Sequence, residues 1–209
     1  PGSPMTLAWD NGEGLVFRRT VSVDDKFMFD VEQTVENTGD TAVSLAPYGF
    51  VARHGQPDTQ NFFILHEGLV RMTDGTLEEI KYKNMDDLDP DPRGAGRVDV
   101  AEVADNGWTG FTDKYWMTTL IPEPGTPFRS VVRYSDNSEI YQTDAVLPAI
   151  VVAPGATATS GTQLFAGAKE WEAIRSYQNE GGIDGFVDSI DWGWFFFLTK
   201  PIFMLLHFL

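Results

Sequence analysis

Period-two alternation, broken by turn residues at short intervals, constrains this chain more than any other feature. Between positions 5 and 165, runs rich in Val, Phe, Tyr, Ile and Thr are punctuated by Gly, Pro, Asn and Asp about every ten residues. Side chains on a strand point to opposite faces in turn, so such runs build half-buried strands. Leu15, Phe17, Val21 and Val23 fall on one face of the run 15–23, with Arg19 as the exception. Asp10-Asn11-Gly12-Glu13-Gly14 precedes it, and Asn-Gly is a strong hairpin signal because both residues tolerate positive φ. Phe27, Phe29, Val31 and Val35 alternate likewise against Asp30, Glu32 and Thr34, and Asn37-Thr-Gly-Asp40 turns the chain into 42–51. Further strands are expected over 61–67, 69–73, 78–82, 108–112, 116–120, 128–134, 139–146, 149–152 and 159–165. The fold class is therefore mainly β: antiparallel sheets packed face to face, each with a wet outer face.

The period changes near residue 169. Trp171, Ile174 and Tyr177 stand three apart, which suits a short amphipathic helix, and Glu180-Gly181-Gly182 ends it. Ile183, Phe186, Val187 and Ile190 form a second stripe at helical spacing. The chain thus divides into a strand-rich body, 1–168, short helices packing on it, 169–191, and a tail, 192–209. Residues 84–96 read as a solvated acidic loop with Asp86, Asp87, Asp89 and Asp91. They lack the Gly and terminal Glu spacing of a calcium loop, and no metal is expected there.

The tail changes solvent. Trp192, Trp194, Phe195, Phe196 and Phe197 stand almost side by side, and helix or strand geometry would spread their rings over every face. A membrane-spanning helix needs about 20 apolar residues. The stretch 192–209 falls short and is interrupted by Lys200 and Pro201. A basic residue at mid-helix costs roughly 2.5–3.5 kcal/mol on insertion scales. The expected solution is a split. Residues 192–199 form an aromatic belt at the headgroup level, Lys200 reaches toward water, and Pro201 opens a new helix. Residues 202–209 then begin a membrane segment rising about 12 Å, against roughly 30 Å of hydrocarbon. The alternative is an apolar element buried in a globular core.

Charge and composition remove several function classes. Fifteen basic against 31 acidic residues give −16, which argues against a nucleic-acid partner, since phosphate binding needs a basic stripe. The same charge disfavours broad contact with anionic lipid, so contact with the bilayer should be local, through the tail. There is no cysteine, hence no disulfide and no Cys-ligated metal. Pro1-Gly2-Ser3-Pro4 shows neither the basic residues nor the apolar run of a signal peptide. His54, His66 and Glu67 are the candidates for acid/base or metal chemistry, and Trp108, Tyr115 and Trp116 could line a groove. The favoured reading is blander: polar residues at strand ends satisfied by backbone, and aromatics in the core. No nucleophile elbow, phosphate loop or dinucleotide fingerprint is present, and no catalytic residue, metal or cofactor is assigned.

Several stretches together are specific. Asp191-Trp-Gly-Trp-Phe-Phe-Phe-Leu-Thr-Lys-Pro-Ile-Phe-Met-Leu-Leu-His207 resembles the passage into the second transmembrane helix in YidC-type bacterial membrane protein insertases. The runs from Trp108 to Trp116, with Pro122, and from Leu164 to Glu170 resemble the periplasmic domain of the same family. So do Tyr48 to Gly55 and Ile64 to Gly68, in alphaproteobacterial form. The matches run in family order over nearly the whole chain. The resemblance implies a β-supersandwich similar to galactose mutarotases, with further strands preceding the region of Met5 to Trp9, C-terminal helices and an interfacial helix. It also implies a docking and spacing module on the periplasmic side of the bacterial inner membrane. The parent would insert and fold nascent inner-membrane proteins with the Sec translocon, SecF among its partners, through a membrane core outside this sequence. The competing class is a carbohydrate-binding or aldose-mutarotase-like domain, which requires His54 and His66 to converge in one pocket.

Overall fold

A computed structural model describes residues 4–57, 65–94, 96–193 and 196–208. The strands are β1 (Met5–Asp10), β2 (Leu15–Val23), β3 (Met28–Asn37), β4 (Val43–Leu45), β5 (Tyr48–His54), β6 (Gly68–Thr73), β7 (Thr76–Lys81) and β8 (Asp89–Pro90). They continue as β9 (Arg97–Val103), β10 (Gly107–Thr112), β11 (Trp116–Pro122), β12 (Phe128–Ser135), β13 (Ile140–Val146), β14 (Ile150–Val152) and β15 (Thr157–Ala168). Helix α1 is Trp171–Asn179 and α2 is Phe196–Phe208, with 3-10 turns at Tyr82–Asp87 and Phe186–Ser189. An eight-stranded sheet runs β1-β2-β3-β15-β11-β10-β6-β7; a five-stranded sheet runs β5-β13-β12-β9-β8; β14 and β4 form a third ribbon.

The large sheet is the middle layer. From one face Met28, Val70, Met72, Trp108, Met117 and Phe165 pack against Trp171 and Ile174 of α1 and against Ile183, Phe186 and Val187 of the segment that follows it. From the other face Leu69 and Phe111 meet Tyr82, Met85, Val132 and Tyr141, while Leu120 meets Val103, Phe128 and Ala145. Alternation explains the division: Met117 and Ile121 of β11 join the helix layer, and Leu120 between them joins the small sheet. Phe186 sits edge-on to both Trp108 and Phe165, with ring centroids 5.7 Å apart in each pair. Gly110 is required where β10 meets β11: a Cβ there would lie 2.1 Å from the Thr118 carbonyl oxygen.

Several expectations need correction. The run 42–51 is two strands, split at Ala46-Pro47, and β9 was not anticipated. The segment 84–96 is not simply a solvated loop. Its first part is a 3-10 turn that buries Met85, and Asp91 is only 5% exposed, paired with Arg93 at 2.8 Å. Phe27 is not a strand residue facing the core; it precedes β3 at φ +69 and points outward. Most of the strand expected over 61–67 lies outside the described residues, and 65–67 are not strand.

Candidate functional site

The junction between the layered body and the tail is the most densely tied polar feature of the C-terminal region. It starts from α1, whose Trp171 and Ile174 are drawn into the core by their three-residue spacing. Behind α1 the chain turns through the Phe186–Ser189 segment, where the Val187 N–H donates to Gln178 Oε1 at 2.9 Å. Asp191 then acts as a clasp. Its carboxylate accepts the His66 N–H at 2.7 Å and the Gly193 N–H at 2.8 Å. Gly193 stands at φ +69, the left-handed conformation that lets the chain reverse onto the carboxylate. The Trp192 indole N–H donates to the Val187 carbonyl at 3.2 Å, which fixes that ring against the body.

Three rings and one ion pair seat α2. Trp171, Trp192 and Phe203 pack mutually edge to face, with centroids 5.1–5.5 Å apart. Lys200 Nζ donates to Asp188 Oδ1 at 2.6 Å, and the Thr199 hydroxyl donates to the Trp192 carbonyl at 2.8 Å. Lys200 therefore has an acidic partner on the body, where the sequence suggested a side chain reaching into water. Nor does Pro201 open a new helix. It is the sixth residue of a continuous α2, where its missing N–H removes one bond to the Phe197 carbonyl without ending the helix. Outward from this seat Phe197, Leu198, Ile202, Leu205 and Leu206 are exposed. Thirteen helical residues rise about 20 Å, and no helix among the described residues is long and apolar enough to cross a membrane. Trp194 and Phe195 lie outside the described residues, and Phe196 opens α2.

Lys169 is a partly buried cation within electrostatic reach of the clasp carboxylate Asp191. Burial pushes its pKa below the usual lysine range, while Asp191, Asp113, Glu79 and Glu67 oppose that shift. Its ammonium donates to Thr112 Oγ1 at 2.8 Å. Nearby, Arg53 pairs with Asp113 at 2.7 Å, and burial with the Asp113 charge raises the Tyr82 hydroxyl well above its ordinary value.

The residues proposed for a sugar site converge only in part. His54 and Trp116 line a cavity of about 320 Å³ with Arg53, Tyr82, Phe111 and Asp113. His66 takes no part in it; its ring is buried, with Nε2 2.7 Å from the Leu69 carbonyl. Glu67 and Trp108 are also outside this cavity. Trp108 is 1% exposed, packs on Phe186, and donates its indole N–H to the Asp184 carbonyl at 3.0 Å. No group of three metal-ligating side chains occurs among the described residues. Sequence reasoning missed a second feature, an apolar groove of about 570 Å³ lined by Leu7, Trp9, Phe17, Val35 and Tyr48. Strand register puts Trp9 opposite Phe17 and Phe17 opposite Val35, so one face supplies its floor.

Layer order and topology define the class first. The fold is similar to a galactose mutarotase related enzyme from Lactobacillus acidophilus, with a TM-score of 0.52 over 78% of this chain and 67% of that one. At 8% identity this likeness shows the fold alone, a mutarotase-like supersandwich. The family model described as the YidC periplasmic domain matches residues 1–205, and the chain belongs to that family. It is 64% identical over 209 residues to the membrane protein insertase YidC of Paracoccus denitrificans, and 60% identical over 205 residues to that of Dinoroseobacter shibae. The chain is covered over 100% and 98% of its length in these matches but spans about a third of each relative, 33% and 34%. The relatives are insertases, which leaves the sugar-enzyme reading with a distant fold likeness only.

Proposed function

We propose that this domain is the periplasmic docking and spacing module of an inner-membrane protein insertase, acting by contact and position rather than covalent chemistry. The carrying observation is identity of 64% and 60% to membrane protein insertases across essentially the whole chain. Insertion of nascent inner-membrane proteins belongs to the remaining two thirds of such a protein, and this domain sets where that machinery meets the Sec translocon. Within the module we assign 1–168 as the docking body, 169–191 as the helical seat, and 192–209 as the membrane-directed element. Trp192 and Lys200 hold that element to the body, and α2 presents its exposed side chains to lipid.

SecF is the partner assigned to the body. The test is retention of detergent-solubilised SecF on the immobilised chain, with a chain lacking 192–209 in parallel. Retention by both forms is expected, since docking belongs to the sandwich. Failure of both to retain SecF would overturn the partner assignment.

A further inference from the structure

The end of the large sheet next to the tail carries a second set of exposed rings. Register fixes which residues gather there. Met28 at the start of β3 lies opposite Phe165 of β15, Ala168 at the end of β15 lies opposite Trp116 of β11, and Thr112 closes β10 opposite Met117. The β2–β3 and β10–β11 turns therefore emerge from the same end of the sheet. Strands β3 and β11 are two positions apart, about 10 Å at the usual spacing. Phe27 on the first turn is 53% exposed, and Tyr115 and Trp116 on the second are 63% and 62% exposed.

The turns that carry these rings are tied to the body. The Tyr177 hydroxyl of α1 donates to Asp24 at 2.7 Å, and the Ala166 N–H donates to the Phe27 carbonyl at 3.2 Å. The Lys169 N–H donates to the Tyr115 carbonyl at 2.8 Å. Phe27 keeps its exposed position at φ +69, a conformation that is strained for a bulky residue. Gly167 leaves room beneath it, since a Cβ there would come within 3.0 Å of the Phe27 Cβ. A lysine accompanies each tip: Lys26 precedes Phe27, and the Lys114 ammonium lies 5.0 Å from the Tyr115 ring centre. Trp, Tyr and a flexible cation are the side chains that settle at a membrane–water boundary. The tail is close by, because Lys169 stands two residues before Trp171, which packs on Phe203 of α2 at 5.1 Å.

We infer that this sheet end is itself a lipid-contact surface, with the two hairpin tips seating Phe27, Tyr115 and Trp116 in the headgroup layer beside α2. The inference rests on the reading of α2 as a lipid-facing helix. The neighbouring α2, reached from Tyr115 through Lys169, Trp171 and Phe203 and exposing Leu198, Ile202, Leu205 and Leu206, selects a bilayer as the occupant. Asp25 beside Lys26, in a chain of net charge −16, selects a zwitterionic surface over an anionic one. Contact through both tips and the helix would fix the tilt of the sandwich over the membrane, which a single tether cannot do.

The chain has no cysteine, so single spin labels can be placed without background. Labels at Tyr115→Cys, Leu205→Cys and, as an exposed control on β9, Val100→Cys are compared with and without phosphatidylcholine vesicles. The readout is collision with oxygen relative to a water-soluble nickel chelate. The expected result is a several-fold rise of that ratio at 115 and 205 and none at 100. A rise at 205 with 115 unchanged overturns the hairpin contact and leaves the tail reading standing. No rise at either position overturns both. A rise at 115 alone overturns the lipid-facing reading of α2, and with it the joint contact of tips and helix proposed here.

Discussion

At the scale of single residues, Asp191 does most to join tail and body. It satisfies two backbone donors that come from opposite sides of the junction. Asp191→Ala should lower stability by about 1–3 kcal/mol, the cost of leaving such donors without an acceptor, and Asp191→Asn by less. Chemical denaturation of the three forms checks this. The Lys200–Asp188 pair is a weaker tie despite its 2.6 Å separation, because the side chains are 29% and 43% exposed. A double-mutant cycle should return a coupling below about 1 kcal/mol. Acid sensitivity has its own residue. Hydrogen bonds from Arg93 hold the Asp91 pKa at about 2, below its ordinary 3.8. A depressed folded value stabilises the protein above pH 3.8, and that contribution is lost as pH falls through about 2. Asp91→Asn should remove this part of the acid slope, measured as denaturation midpoints from pH 6 to pH 2. None of these roles was legible beforehand. Asp91 was one aspartate in a cluster, and its burial depends on contacts that sequence spacing does not encode. Asp191 was visible only as the first residue of the family-like run that leads into the tail.

At the scale of elements, legibility followed local periodicity. Strands with strict alternation, such as β2, were readable, because pattern and pairing demand the same facing of side chains. The helix α1 was readable from Trp171, Ile174 and Tyr177 for the same reason. The 42–51 run was misread because Pro47 ends one pairing and begins another, a tertiary decision. In α2 the error was local: proline six residues into a helix costs one hydrogen bond, and the Lys200–Asp188 and Trp171–Phe203 contacts hold the helix through it. The layer under α1 gives the sharpest test of packing. Phe165 is fully buried and touches Phe186 and Tyr177 edge to face. Phe165→Ala should cost about 3–5 kcal/mol in a thermal or urea melt. Gly110→Ala should be worse tolerated, since the added carbon meets backbone of β11 that only strand separation can move.

At the scale of the whole molecule, three layers stack in order and the tail packs against the third. The small sheet, the large sheet and the helical layer share the large sheet as their common wall, and the tail is seated on the helical layer through Trp171. The candidate sugar residues were divided by this architecture: His54 and Trp116 line one cavity, while Trp108 lies in the core and His66 is buried apart from it. The identity of the family was legible in ordered stretches of sequence, whereas the clasp, the aromatic seat and the rings of the sheet end needed the fold. As proposed, this periplasmic module meets the bilayer through its C-terminal element. Flotation of the 209-residue chain on phosphatidylcholine vesicles, with and without residues 192–209, tests it most directly. The full chain should float, and truncation should lower the floated fraction several-fold. Equal flotation of the two forms, or none by either, would contradict it.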